Sequence, residues 1–359
     1  LLAYVPNALF RDNIDDDDAP QLKQLTDPNY QHRYYVDGPP TAMDAYLKGQ
    51  WRTVLIDALG AGGRALFALD VTDPGNFRED NAYQLVLWEI DEHTPGYGEL
   101  GHILKSLPLV RQPDGKWVVI AGNGYHSAHG KAVLYIIDAE DGSPLQTIEV
   151  DAGPLNGLSA PQVADVDDDF IADYIYAGDL KGNLWKFIWD RDQNQWKVAY
   201  QEGNTPLPLF KATDGKGHAQ PITAVPQVSI IPGKGGRLIL FGTGKYFDEE
   251  DNTVDIPTQT FYGIWDNDWP PEERPTRDDL QVQTIDRDLS SSNKRVTTAN
   301  EVDWAAFNAD TGKWEGQKGW LFDLEQGERV VEDALILKER IIFTTLIPGN
   351  ASDPCKPQA

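Results

Sequence analysis

The chain has 359 residues, with 31 Lys and Arg against 57 Asp and Glu, a formal net charge of −26. A surface this acidic repels nucleic-acid phosphates and anionic lipid, and no run of 18 apolar residues exists to span a membrane. With 40% hydrophobic residues it is a folding chain, long enough for two ordinary domains or one large all-β domain.

The sequence opens without Met on LLAYVPNALF, strand-like from the start, and reads as a fragment of something longer. Residues 11–37 follow as a polar loop insertion. It carries the run Asp15 to Asp18, where neighbouring carboxylates point apart and make a poor cation cage. Beyond it, helical periodicity is scarce. Short apolar runs bounded by Gly, Pro, Asp and Asn recur in a fixed order.

A strand closed by a Gly-rich turn appears at 51–63, 117–126, 173–183 and 238–247. An apolar-aromatic strand ending in Asp appears at 65–75, 133–142, 183–192, 260–268 and 319–327. Its aromatic residues Phe67, Tyr135, Trp185, Tyr262 and Trp320 fall in register. Strand alternation puts them on one face, where they read as core packing between sheets and not as a sugar-stacking surface. The terminal Asp opens a turn by accepting from backbone N–H groups two residues on. A Pro-containing strand precedes the pair at 106–110, 159–163 and 223–228, and an edge strand such as 144–150 follows it. The repeated unit is a four-stranded antiparallel sheet, and its natural closure is a β-propeller. A β-sandwich pair would show denser turn signals. The expectation is one all-β propeller domain over 1–359, with insertions at about 11–37 and 267–316. The second insertion is polar and is expected to contain short helical pieces.

The sharpest motif is ADVDDDFIADYIYAGD, from Ala164 to Asp179. Asp165, Asp167, Asp169 and Asp173 occupy positions 1, 3, 5 and 9 of a loop, with Ile171 at position 7. Calcium is a hard cation that takes six to eight oxygens at about 2.3–2.6 Å, and alternate side chains of a tight loop converge on one point. The main-chain carbonyl of Ile171 would supply the seventh-position oxygen. Two departures from the helix-flanked version of this loop stand out. Position 12 is Tyr176 where Glu is usual, and a strand follows. Position 6 is Phe170 where Gly is usual, so a left-handed turn there costs about 1–2 kcal/mol. Asp168 lies out of phase and should face solvent.

Other candidates are weaker. His126 and His129 share the loop GNGYHSAHG without further ligands, and read as a surface loop. GAGG (60–63) and GKGG (233–236) lack the Lys-Ser/Thr ending of a phosphate loop and read as turns. Cys355 is the single cysteine; it is either half of a pair whose partner lies in missing sequence or a free thiol. N-A-S at Asn350 is a glycosylation acceptor only in a eukaryotic secretory context.

The ordered segments ALGAGGRALFALDVTDP, VIAGNGYHSAHGKAVLYIID, SAPQVADVDDDFIADYIYAGDLKGNLWKF, LILFGTGKYF and TQTFYGIWD together resemble the C-terminal domain of the PilY1/PilC family. These are tip-associated adhesins and assembly factors of bacterial type IV pili. The resemblance implies a modified, quinoprotein-like β-propeller without enzymatic activity, displayed at the bacterial surface or pilus tip. It implies pilins or minor pilins as partners, and host or surface ligands met through an N-terminal region not in this chain. It also implies a calcium loop that governs pilus extension against retraction, with ligands Asp165, Asp167, Asp169, the Ile171 carbonyl and Asp173. The family loop often has Gly where Phe170 stands, and no RGD tripeptide occurs, so integrin-type adhesion does not transfer. Two competing classes are weighed. A quinoprotein dehydrogenase would bring vicinal cysteines and a calcium beside the quinone. An integrin-α-like propeller would repeat the D-x-D-x-D-x-x-x-D loop in several blades, and this chain has it once.

Overall fold

A computed structural model describes residues 3–10, 22–291, 294–338 and 340–349. The run Asp15 to Asp18, Asn350 and Cys355 lie outside the described residues. Among those described, no helix is long and apolar enough to cross a membrane.

Four sheets of the expected kind are present among the described residues. The first runs β1 (Thr41–Leu47), β2 (Gln50–Ala58), β3 (Ala65–Asp70), β4 (Val86–Asp91), each strand antiparallel to its sequence neighbour. The second runs β5 (Leu109–Arg111), β6 (Trp117–Gly122), β7 (Ala132–Asp138), β8 (Pro144–Asp151) in the same way. The third orders β9 (Gln162–Ala164), β10 (Tyr174–Gly178), β11 (Asn183–Asp190) and β12 (Gln195–Val198) in sequence. The fourth joins Gln227–Ser229, Arg237–Gly242, Thr260–Asp266 and Gly319–Asp323.

Strand β3 shows why these segments form buried strands. Its sequence ALFALD is apolar on both faces, as a strand covered on both sides must be. Leu66 and Ala68 join the core between the first two sheets, beside Val133, Tyr135 and Ile137 of β7. Ala65, Phe67 and Leu69 face the other way, onto Leu9, Leu59 and Tyr4. Each such Leu or Phe, fully buried, contributes about 1.5–3 kcal/mol. The Asp that ends the third strand acts as expected in all four sheets. Asp70, Asp138, Asp190 and Asp266 each accept, through Oδ1, from the backbone N–H two residues on, at 2.9 to 3.2 Å.

Three expectations change. The opening segment is a 3-10 turn over Asn7–Phe10, not a strand; its backbone N–H at Asn7 is held by Glu89, which draws the chain across β4. GWLFD is not the third strand of a further unit but the fourth strand in the order of the fourth sheet, paired to Thr260–Asp266. Gly263 lies opposite Trp320, and a Cβ there would come within 2.5 Å of the indole, so the strands pair this way only because that position is bare. The insertion 267–316 holds the expected short helical pieces as two 3-10 turns, Pro271–Glu273 and Arg277–Asp279, and also five short strands among the described residues. Gln281–Gln283 adds parallel to Gly319–Asp323, and hairpins form at Ile285–Ser291 with Lys294–Thr297 and at Ala306–Asn308 with Lys313–Glu315. Polar residues alternate with β-branched and aromatic ones there, a strand pattern with one wet face.

The chain divides into two compact units, Leu1–Ile175 with Phe187–Val198, and Tyr176–Lys186 with Ala199–Ala359. The dividing points fall inside β10 and β11 and at the end of β12. The first unit carries the metal-type loop.

Candidate metal centre

The loop joins β9 to β10. Its ends are pinned by backbone bonds, Asp173 N–H to the Ala164 carbonyl and Ala172 N–H to the Arg111 carbonyl of β5, both at 2.9 Å. Within those posts nine residues must reverse direction. Two of them do so in the left-handed region, Asp168 at φ +60° and Phe170 at φ +64°. The strained turn expected at position 6 is therefore kept despite the missing glycine. The Phe170 ring does not compensate by packing, since 86% of it is exposed.

What holds the turn is the carboxylates themselves. Asp165 accepts from the N–H groups of Asp169 (3.3 Å) and Phe170 (2.8 Å). Asp169 Oδ1 accepts from Ile171 N–H at 2.8 Å, and Asp173 Oδ2 accepts from Val166 N–H at 2.8 Å. These bonds fold the loop inward and bring oxygens of Asp165, Asp167 and Asp173 within 4.8 Å of one another. Asp169 is not of that trio; with Oδ1 on the Ile171 amide, Oδ2 is the oxygen it can offer. Ile171 is half-buried, and Asp168 is exposed, as are Asp165, Asp167 and Asp169.

Partial desolvation, and then the negative charges of Asp169, Asp173 and Asp165, hold the Asp167 carboxyl above its ordinary value. Like charges gathered this closely disfavour one another's ionisation. The donor set is all hard oxygen, on an exposed loop open to water, which fits calcium or a similar hard cation and no soft metal. The other candidate loops hold no such cluster among the described residues. His126 and His129 are exposed, and His129 pairs through Nδ1 with Glu99 Oε1. GAGG is a 3-10 turn over Gly60–Gly62, and GKGG is a turn.

Two buried polar centres escaped the sequence reading. In the second unit, Lys186 and Arg237 meet Asp266 and Asp268, and Tyr176 donates to Asp266 at 2.6 Å. Lys186 and Asp266 are at most 1% exposed. Burial works against ionising Asp268, yet Lys186 and Arg237 hold its carboxyl below the ordinary range. A Lys inside the apolar strand NLWKFIWD was the available signal, because a buried Lys needs a carboxylate partner. The second centre is Asp179, wholly buried, which accepts from Lys181 N, Asn183 N, Asn183 Nδ2 and Trp185 Nε1 at 2.8 to 2.9 Å. It ties the Gly-rich turn to the register tryptophan.

Four-stranded antiparallel sheets with aromatic residues at a fixed place in their third strands, and one cluster of converging carboxylates among the described residues, define a β-propeller class with an acidic loop. The family model described as the PilY1 β-propeller domain matches residues 1–297. The type IV pilus biogenesis factor PilY1 of Pseudomonas aeruginosa (strain PAO1) is 38% identical over 98% of this chain, and the match covers 31% of that protein. A PilY1 homolog of Xylella fastidiosa (strain Temecula1) is 36% identical over 97% of this chain and is covered over 23% of its length. The crystal structure of the Pseudomonas aeruginosa PilY1 C-terminal domain is similar with a TM-score of 0.74 and 38% identity, covering 88% of this chain and 68% of that one. The chain belongs to the PilY1 β-propeller family, and it spans a third or less of the length of these curated relatives.

Proposed function

We propose that this chain is a non-catalytic, calcium-binding module of a type IV pilus biogenesis protein at the bacterial surface, and that calcium occupancy biases pilus extension against retraction. The observation that carries the reading is the convergence of Asp165, Asp167 and Asp173 in a chain of this family. Asp169 Oδ2 and the Ile171 carbonyl are the further oxygens proposed as ligands. Bound calcium would neutralise the gathered carboxylates. The chain's own residues do the rest: Asp165, Asp169 and Asp173 tie down loop amides and so hold the reversal at Asp168 and Phe170. The non-catalytic part is supported by the relatives, which are named as biogenesis factors. Pilins or minor pilins are the proposed partners at the pilus tip. Host or surface ligands would be met by other regions of the longer protein.

Calorimetric titration of the metal-stripped chain with calcium tests the site. One site should appear and should vanish in Asp165→Ala and Asp173→Ala; heat unchanged by both substitutions would sink the assignment. The regulatory part needs the full-length protein in cells. Surface pili should cease to respond to external calcium when Asp165→Ala replaces the native residue, and a retained response would separate calcium binding from pilus control.

A further inference from the structure

The register aromatics are core, but Trp51 is not one of them. It sits at the start of β2 and is 62% exposed. With Tyr83, 77% exposed, it lines a cavity of about 710 Å³ at the end of the first sheet where the β1–β2 turn meets the β3–β4 connection. That volume lies inside the range of about 300–1,000 Å³ typical of small-molecule sites.

Two features set this cavity apart from a chance dent. Its principal ring is braced. Trp51 meets Tyr46 edge-on at 5.7 Å and Trp117 edge-on at 6.0 Å, so neighbours fix its plane while most of its surface stays in water. Exposed indole surface costs hydration free energy unless something covers it. The polar lining is also ordered in advance. Arg52 is paired to Asp70, and Asp70 also accepts from the Thr72 backbone at 3.1 Å. Asn76 donates to Asp73 at 3.3 Å, and Gln84 donates to the Tyr83 hydroxyl at 2.7 Å. Lys48 and Arg52 balance Asp70 and Asp73 in the lining, a locally neutral wall on a chain of net charge −26.

A fixed aromatic plane beside planar amide, carboxylate and guanidinium groups suits a ligand with an apolar C–H face and a rim of hydroxyls. Local neutrality disfavours an ionic ligand. We propose that this cavity is a binding site for a neutral saccharide, with Trp51 as the stacking platform, Tyr83 as the opposite lip, and Arg52, Asp70 and Asn76 as hydroxyl partners. The site is independent of the calcium loop and does not rest on the pilus-control reading.

The test uses the whole chain with calcium present and a panel of neutral oligosaccharides, namely maltotriose, lactose and chitotriose. Saturation-transfer NMR and quenching of tryptophan fluorescence report binding. At least one sugar should bind in the millimolar range. Trp51→Ala should weaken it by about tenfold or more, and Tyr83→Ala should also weaken it. Tyr83 is too exposed for its loss to unfold the chain, and Phe307→Ala, an exposed aromatic outside the lining, should leave binding unchanged. Absence of transfer to every sugar in the panel overturns the proposal, as does binding that survives both Trp51→Ala and Tyr83→Ala.

Discussion

At Phe170 a single side chain sets the cost of the whole loop. Its φ of +64° is a conformation glycine adopts freely and phenylalanine does not. Phe170→Gly relieves about 1–2 kcal/mol of strain but returns about 0.5–1 kcal/mol of unfolded-chain entropy. The expected net gain is between zero and about 1.5 kcal/mol in denaturant unfolding of the calcium-free protein; a clear loss would mean that the exposed ring makes contacts in solution that the structure lacks. Asp57 presents the opposite case, a carboxylate buried with one amide partner, Ala58 N–H at 2.8 Å. Burial, only partly offset by that bond, raises its pKa to about 6. A folded value above the unfolded one means the protonated form is favoured by folding. Its contribution is full below the ordinary carboxylate range and is lost as pH rises through about 6. Asp57→Asn should therefore stabilise the protein at neutral pH, by up to about 2–3 kcal/mol, and flatten its thermal stability between about pH 4 and 6. Equal destabilisation across that pH range would show that folding does not raise the Asp57 pKa.

The elements are held by side chains that close their turns. Asp179 collects four donors around the turn between β10 and β11. Asp179→Ala leaves those donors buried and unpaired, and should cost about 3–5 kcal/mol in chemical denaturation, among the largest single losses in the chain. A loss near 1 kcal/mol would mean that water enters and replaces it. Arg329 does the same for the segment after Arg237–Gly242. It is 1% exposed, and its guanidinium donates to the carbonyls of Lys245 (3.2 Å), Asp251 (2.8 Å) and Thr253, with Nε lacking a partner among the described residues. A cation wrapped in carbonyls fastens the loop, and burial lowers its pKa. Arg329→Met should speed amide exchange across residues 245–254 while β1 to β4 keep their protection; uniform protection would deny it that role.

For the molecule as a whole, the packed cores and the cation loop draw on separate sources of stability. The core of the first two sheets and the core of the second unit consist of buried aliphatic and aromatic side chains that contain no loop carboxylate. Calcium removal should therefore loosen residues 164–174 in hydrogen exchange and leave the strands protected, whereas global unfolding on chelation would make the cation a folding requirement. The net charge of −26 acts on every part at once. Repulsion between exposed charges is screened over about 8 Å at physiological ionic strength and over less as salt is added, so added sodium chloride should raise the melting temperature of the calcium-free chain. A flat salt response would mean that the acidic groups are already compensated by local pairing.

The amino-acid sequence by itself determined the strands of the first three sheets, their order there and the ligand-type loop. These rest on short-range rules: alternation along a strand, Asp as a turn former, and carboxylates spaced by two. Tertiary structure decided what depends on partners distant in the chain. GWLFD belongs to the fourth sheet because Gly263, nearly sixty residues earlier, leaves room for Trp320. Lys186 is tolerated in an apolar strand because Asp266 and Asp268 reach it across eighty residues. Asp165, Asp167 and Asp173 approach one another, while Asp169 turns one oxygen to an amide, because loop hydrogen bonds and a left-handed Phe170 choose which carboxylates converge. Spacing alone placed all four on one side; only folding separated them, since which oxygen faces inward is set by backbone torsions that residue spacing does not encode.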